Sequence, residues 1–129
     1  MKTRTDPRHR KRALAVQELF AYEFNSDQAV GELTSKITLS LDKIDLLVKQ
    51  AAPQRPVAQI NKLDLAILRL AIYELTVAKD APYKVIVDEA VELAKEYGAE
   101  SSPQFINGAL GHLIETEHLS SWHSQLIKR

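Results

Sequence analysis

The sequence predicts an all-α protein, and three observations carry that prediction. Apolar residues recur at spacings of three and four along most of the chain. Glycine and proline number only 4 and 5 in 129 residues and fall mostly at segment boundaries, too few for a chain of short strands and turns. Residues suited to helix caps precede several of the apolar segments.

The first helix is expected to start near Arg8, after Pro7. It carries Ala13, Val16, Leu19, Phe20 and Phe24 on one stripe. Its opening turn is a basic cluster. Cations there oppose the helix dipole at a cost of about 0.3–1 kcal/mol, so the start is expected to fray until an anion arrives. Asn25-Ser26-Asp27 reads as a stop followed by an N-cap, with Val30, Leu33 and Ile37 as a short stripe. Ser40 is placed to cap a further helix, with Leu41, Ile44, Leu47 and Val48 inward, and Pro53 and Pro56 end it.

Asn61 opens the most apolar helix, with Asp64 placed to reach back as a capping carboxylate. Two stripes, Leu63-Ile67-Leu70 and Leu65-Leu68-Ile72-Leu75, predict a central helix touched from several sides. Arg69 and Glu74 lie on it, and each is either a member of a structural ion pair or part of a surface that meets a partner. Pro82 marks the next start. Val85, Ile86, Ala90, Leu93, Ala94 and Tyr97 form its stripe, and Gly98 suits its end. Ser101 or Ser102 caps the following helix, with Phe105, Ile106, Ala109, Leu110, Leu113 and Ile114 inward. Gly108 inside it is expected to admit another helix closely. Ser120 and Ser121 cap a last short helix bearing Trp122 and Leu126.

The chain has 17 basic and 17 acidic side chains, yet they are segregated. Residues 1–12 hold Lys2, Arg4, Arg8, Arg10, Lys11 and Arg12 against Asp6, a net +5, and the rest of the chain is −5. A basic arm on a mildly acidic body is either a polyanion-binding element or a solubilising tail. The hydrophobic fraction of 45% excludes full disorder, and the length argues for a single domain over 1–129 with 1–12 as its arm. There is no cysteine, hence no disulfide, thiol nucleophile or Cys-based zinc site. The absence of a signal-peptide pattern or long apolar run leads to the expectation of a soluble cytoplasmic protein with no membrane partner.

The residues give little support for an enzyme. There is no glycine-rich nucleotide loop, and the four histidines show no metal-ligand spacing, so neither cofactor nor metal is expected. Asp88, Glu89, Glu92 and Glu96, with Lys84 and Lys95, read as a solvated, salt-bridged face. The basic cluster remains. Arginines at this density follow a phosphate backbone, stack on exposed bases and often order on binding RNA. DNA is not excluded by charge, but no basic recognition helix is evident.

The run from Arg8 to Phe20 (RHRKRALAVQELF) resembles the arginine-rich opening of the NusB family of bacterial transcription antitermination factors. Leu63–Leu75 (LDLAILRLAIYEL), Pro82-Tyr83-Lys84-Val85 with the following Asp88–Lys95, and Phe105-Ile106-Asn107-Gly108-Ala109-Leu110 resemble later family elements in the same order. The resemblance implies two small packed helix bundles. It also implies binding of single-stranded boxA-type RNA together with a small-subunit ribosomal protein acting as NusE, within an RNA polymerase complex that suppresses premature termination, notably of ribosomal RNA transcripts. On this resemblance the RNA contacts map to Arg8, His9, Arg10, Lys11 and Arg12, and the ribosomal-protein contacts to Phe20 and Glu74.

Three departures stand out. Phe20 lacks the hydroxyl of the family's usual tyrosine. Gly111 replaces the usual acid. Residues 25–58 are short, as if a helix and loop were trimmed or replaced by a partner, and the tail from 116 to 129 is placed to cover the surface so exposed. Two other readings stand beside the adaptor: a helper acting in trans for an RNA methyltransferase, and a homodimer whose arm is masked until partner and RNA arrive.

Overall fold

The computed structural model describes residues 6–119, so the expected helix at Ser120–Leu126 lies outside the described residues, as do Lys2 and Arg4. Six α-helices follow in order: α1 (Pro7–Tyr22), α2 (Glu32–Leu39), α3 (Leu41–Ala51), α4 (Lys62–Tyr73), α5 (Tyr83–Tyr97) and α6 (Ser102–Thr116). A 3-10 turn at Val57–Gln59 precedes α4, and a π turn at Glu74–Ala78 extends it. No strand occurs among the described residues.

α4 is the axis. Every residue from Asp64 to Leu75 is buried, as the two apolar stripes predict. α1 and α3 pack on it from one side and α5 from another, while α5 and α6 form the most extensive helix pair. The N-terminal group α1–α3 and the hairpin α5–α6 thus share α4 and one continuous apolar core. Asn61 caps α4 through Oδ1, which accepts from the amides of Leu63 (2.9 Å) and Asp64 (3.3 Å). The expected return contact from Asp64 is not made, and its buried Oδ1 has no hydrogen-bond partner.

Arg69 is 4% exposed in the middle of this helix. Its guanidinium grips Asp45 of α3 with two bonds of 2.9 Å and Glu23, just past α1, at 2.5 Å. It is therefore a structural ion-pair member. Burial works to raise the Glu23 pKa, but the hydrogen bond and charge of Arg69, joined by Lys62, outweigh it and hold Glu23 below the ordinary glutamate value.

Several local expectations are corrected. The cap at residues 25–27 is not used. Asn25 Oδ1 closes a local turn on the Asp27 amide, and α2 starts only at Glu32. Its cap comes from α1, where the Glu18 carboxylate accepts from the Gly31 amide (3.1 and 3.2 Å) and from the buried Thr34 hydroxyl (2.6 Å). Ser40 and Ser101 flank their helices without a side-chain cap bond, and Ser102 instead accepts from the Ala99 amide at 2.9 Å. Gly98 has an ordinary extended backbone (φ −89°). It is glycine for space, because a Cβ there would stand 2.7 Å from the Ala94 carbonyl oxygen and from Ser102. Gly108 admits no neighbouring helix, since nothing lies within 4 Å of where its Cβ would be. Phe20 and Phe24 leave the inward stripe and face solvent, paired edge to face with centroids 5.1 Å apart.

Two outcomes follow. Arg69→Ala leaves two carboxylates facing each other and is expected to cost about 3 kcal/mol in urea unfolding, at the low end for a broken buried pair because both acids keep some water. Because the Glu23 pKa is depressed in the folded state, its stabilisation is fully present above the ordinary glutamate value near 4.5 and is lost as pH falls through the depressed value. Acid titration of stability should therefore show a component in that window that Arg69→Ala removes.

Candidate nucleic-acid interface

α1 begins with a cap. The Asp6 carboxylate accepts from the Arg8 amide at 2.9 Å, and this bond and the Arg8 side chain hold Asp6 below its ordinary pKa. The basic segment is thus ordered helix from Pro7 onward. Among the described residues the cap and two further anchors offset the unfavourable dipole.

The five candidate residues separate into two groups. Arg8, Arg10 and Lys11 are exposed, the Arg8 side chain by 83%. His9 and Arg12 turn inward, with side chains 8% and 12% exposed. Arg12 donates to Glu74 from Nε (2.9 and 3.1 Å) and Nη2 (2.7 Å), and from Nη1 to Glu89 (3.4 Å). His9 Nδ1 lies 3.4 Å from Glu89 Oε1, and Nε2 lies 2.5 Å from Glu96 Oε1. Burial alone would lower the Arg12 pKa, but the Glu74 hydrogen bonds and the charges of Glu74 and Glu89 hold it above its ordinary value.

The acidic run of α5 is therefore not wholly a solvated face. Glu89 is 1% exposed, and Glu96 is partly covered and receives His9. Only the outer acids fit the expectation, with Glu92 meeting Lys95 at 3.7 Å on the surface. The helical spacing held the missing signal. Glu89 lies three residues after Ile86 and four before Leu93, inside the apolar stripe, and Arg12 lies four before Val16 in the same way.

Around this cluster runs a cleft of about 430 Å³, lined by Arg8, Lys11 and Arg12 on one wall and Ala81, Pro82 and Val85 on the other. A second hollow of about 250 Å³ continues it toward Leu14, Gly31 and Lys36, sharing Lys11 and Tyr73. Glu74 sits where α4 widens into the π turn, and both its oxygens are engaged by Arg12. It is a structural ion-pair member like Arg69. Phe20 is 37% exposed on the outer side of α1, with Leu14 (53%) and Phe24 (68%) also exposed on that helix or just beyond it. Gly111 is open, at the rim of a shallow groove between α5 and α6. No group of three His, Cys, Asp or Glu side chains among the described residues is arranged to hold a metal ion. None of their helices is long and apolar enough to cross a membrane.

The geometry describes a helical protein that presents cations at the start of its first helix and an exposed aromatic pair at its end. Comparison with known proteins makes it specific. The NusB family model matches residues 27–115. A transcription antitermination protein NusB of Roseiflexus castenholzii is 37% identical, over 83% of this chain and 91% of that protein. The Shewanella amazonensis protein of the same name is 36% identical, over 83% and 94%. The structure of Thermotoga maritima NusB superposes with a TM-score of 0.74 at 31% identity, covering 95% of this chain and 94% of that one. The chain belongs to the NusB family of transcription antitermination proteins. The Roseiflexus alignment runs to 129 positions while spanning 83% of this chain, so that relative carries residues this chain lacks. The relatives are named as antitermination proteins rather than as enzymes.

The two groups of basic residues predict opposite mutational outcomes. Arg12→Ala strands the Glu74 carboxylate in a buried site and is expected to cost about 3 kcal/mol of stability. Arg10→Ala should change stability by less than about 0.5 kcal/mol. Urea denaturation of the two variants checks both.

Proposed function

We propose that this chain is a non-enzymatic RNA-binding adaptor in transcription antitermination. In this reading it binds single-stranded boxA-type RNA together with a small-subunit ribosomal protein acting as NusE. It then acts in the cytoplasmic RNA polymerase complex against premature termination, notably on ribosomal RNA transcripts. The observation that carries the reading is the set of outward cations on the first turns of α1, in a chain whose relatives bear the name antitermination protein. Arg8, Arg10 and Lys11 meet the RNA, by phosphate attraction and, for the arginines, by stacking and base-edge hydrogen bonds. His9 and Arg12, expected from the sequence as contacts, serve the same face as its anchors.

For the ribosomal protein, Phe20 with Phe24 and Leu14 supplies exposed apolar area further along α1. Glu74 joins that contact only if Arg12 gives up one of its oxygens, because Arg12 engages both.

The test is fluorescence anisotropy with a labelled boxA-type RNA and a scrambled control, with and without the ribosomal protein. If Lys2 and Arg4 join Arg8, Arg10 and Lys11 on the phosphates, log K should fall with log salt at a slope near −3.5, at about 0.7 per phosphate on a single strand. Replacing Arg8, Arg10 and Lys11 together by Ala should reduce that slope by about 2. Weak, equal, salt-insensitive binding to both RNAs would overturn the reading.

A further inference from the structure

We propose that Glu89 is a positioning residue for RNA binding: a buried acid that serves a polyanion-binding face by holding it in place. The proposal rests on the RNA-binding reading above and adds a residue to it. Glu89 lies in the middle of α5, and its Oε1 faces both Arg12 Nη1 and His9 Nδ1 at 3.4 Å. Glu96, two turns further along α5, takes the other nitrogen of the same imidazole, and Glu74 takes the rest of the Arg12 guanidinium. Three carboxylates thus grip two side chains that stand three residues apart on one face of α1. With 100° between successive residues, fixing 9 and 12 inward sends Arg10 and Lys11 outward, and Arg8 lies at the edge with its side chain exposed. The orientation of the cationic face is set before any RNA arrives, so binding need not order the segment.

The argument turns on sign. A carboxylate this close to the phosphate-binding cations repels phosphate, so electrostatics alone makes its removal favourable to RNA binding. Positioning makes the same removal unfavourable. Glu89→Gln keeps the shape and deletes the charge, and it separates the two in the full-length chain. The labelled boxA-type RNA is titrated at two salt concentrations, and amide hydrogen exchange is followed across residues 8–12.

The expected result is RNA binding about threefold to tenfold weaker, from the cost of ordering freed side chains, with faster exchange across residues 8–12. Val48→Ala, which opens a cavity under α3, outside the elements that carry this cluster, should leave the affinity of the folded protein unchanged, so a general loss of stability does not imitate the effect. Should Glu89→Gln fail to fold, Glu96→Gln at the more exposed carboxylate is expected to show the same two changes, smaller. Equal or tighter RNA binding by whichever variant folds overturns the assignment of Glu89. A wild-type chain that binds neither RNA overturns the functional reading on which it rests.

Discussion

The helical rod that α4 forms with its π turn has a buried middle that holds two ion-paired charges. Its middle is buried from Asp64 to Leu75, yet Arg69 and Glu74 stand within it. Each draws in a charge from α1 or the residue that follows it. Glu23 meets Arg69, and Arg12 meets Glu74. The two contacts hold α1 antiparallel to α4, with the Lys62–Glu23 pair consistent with that direction. Asp45 ties α3 to the same arginine. Apolar contacts between helices permit some sliding and rotation, whereas paired charges in a buried setting do not, because displacement strands an ion. The register of the N-terminal half is therefore electrostatic in origin, laid over a core that is otherwise uniform.

The same constraint divides the basic segment. Arg8, Arg10, Lys11 and Arg12 look equivalent as a string, but helix geometry assigns them different fates. The inward positions become part of the fold and the outward ones stay available. A charge count along the arm thus overstates its attraction for a polyanion, since Arg12 is already neutralised by Glu74 and Glu89.

The helices and the central place of α4 were legible in the sequence because apolar periodicity reports burial directly. The Asn61 cap was legible, but the local caps read at Ser40 and Ser101 are not made, the Asp6 cap of α1 went unread, and Glu18, which serves the start of α2, comes from elsewhere in the chain. The ion pairs were half legible. A charge on a buried helix needs a partner, but the partner of Arg69 lies 24 and 46 residues away in sequence, and nothing local points to Asp45 or Glu23. Glu89 was misread because neighbouring acids at the surface mask the one that falls within the apolar stripe. Gly108 was misread because a glycine inside a helix has two uses that look alike in sequence, and here the space above it is open.

The widened turn at the end of α4 has a consequence for how the chain tolerates change. From Glu74 to Ala78 the backbone closes its hydrogen-bonded rings one residue later than an α-helix does, ending with the Lys79 amide on the Glu74 carbonyl at 2.9 Å and Lys79 itself in a left-handed conformation. One residue corresponds to about 100° of helix rotation. The turn therefore acts as a slipped gear tooth that sets the direction in which the chain departs toward Pro82 and α5. Trimming a residue here would not just shorten a connection. It would re-aim α5, and with it the acid that meets the basic helix, so insertions and deletions are far better borne in the loop between α1 and α2 than in these five residues.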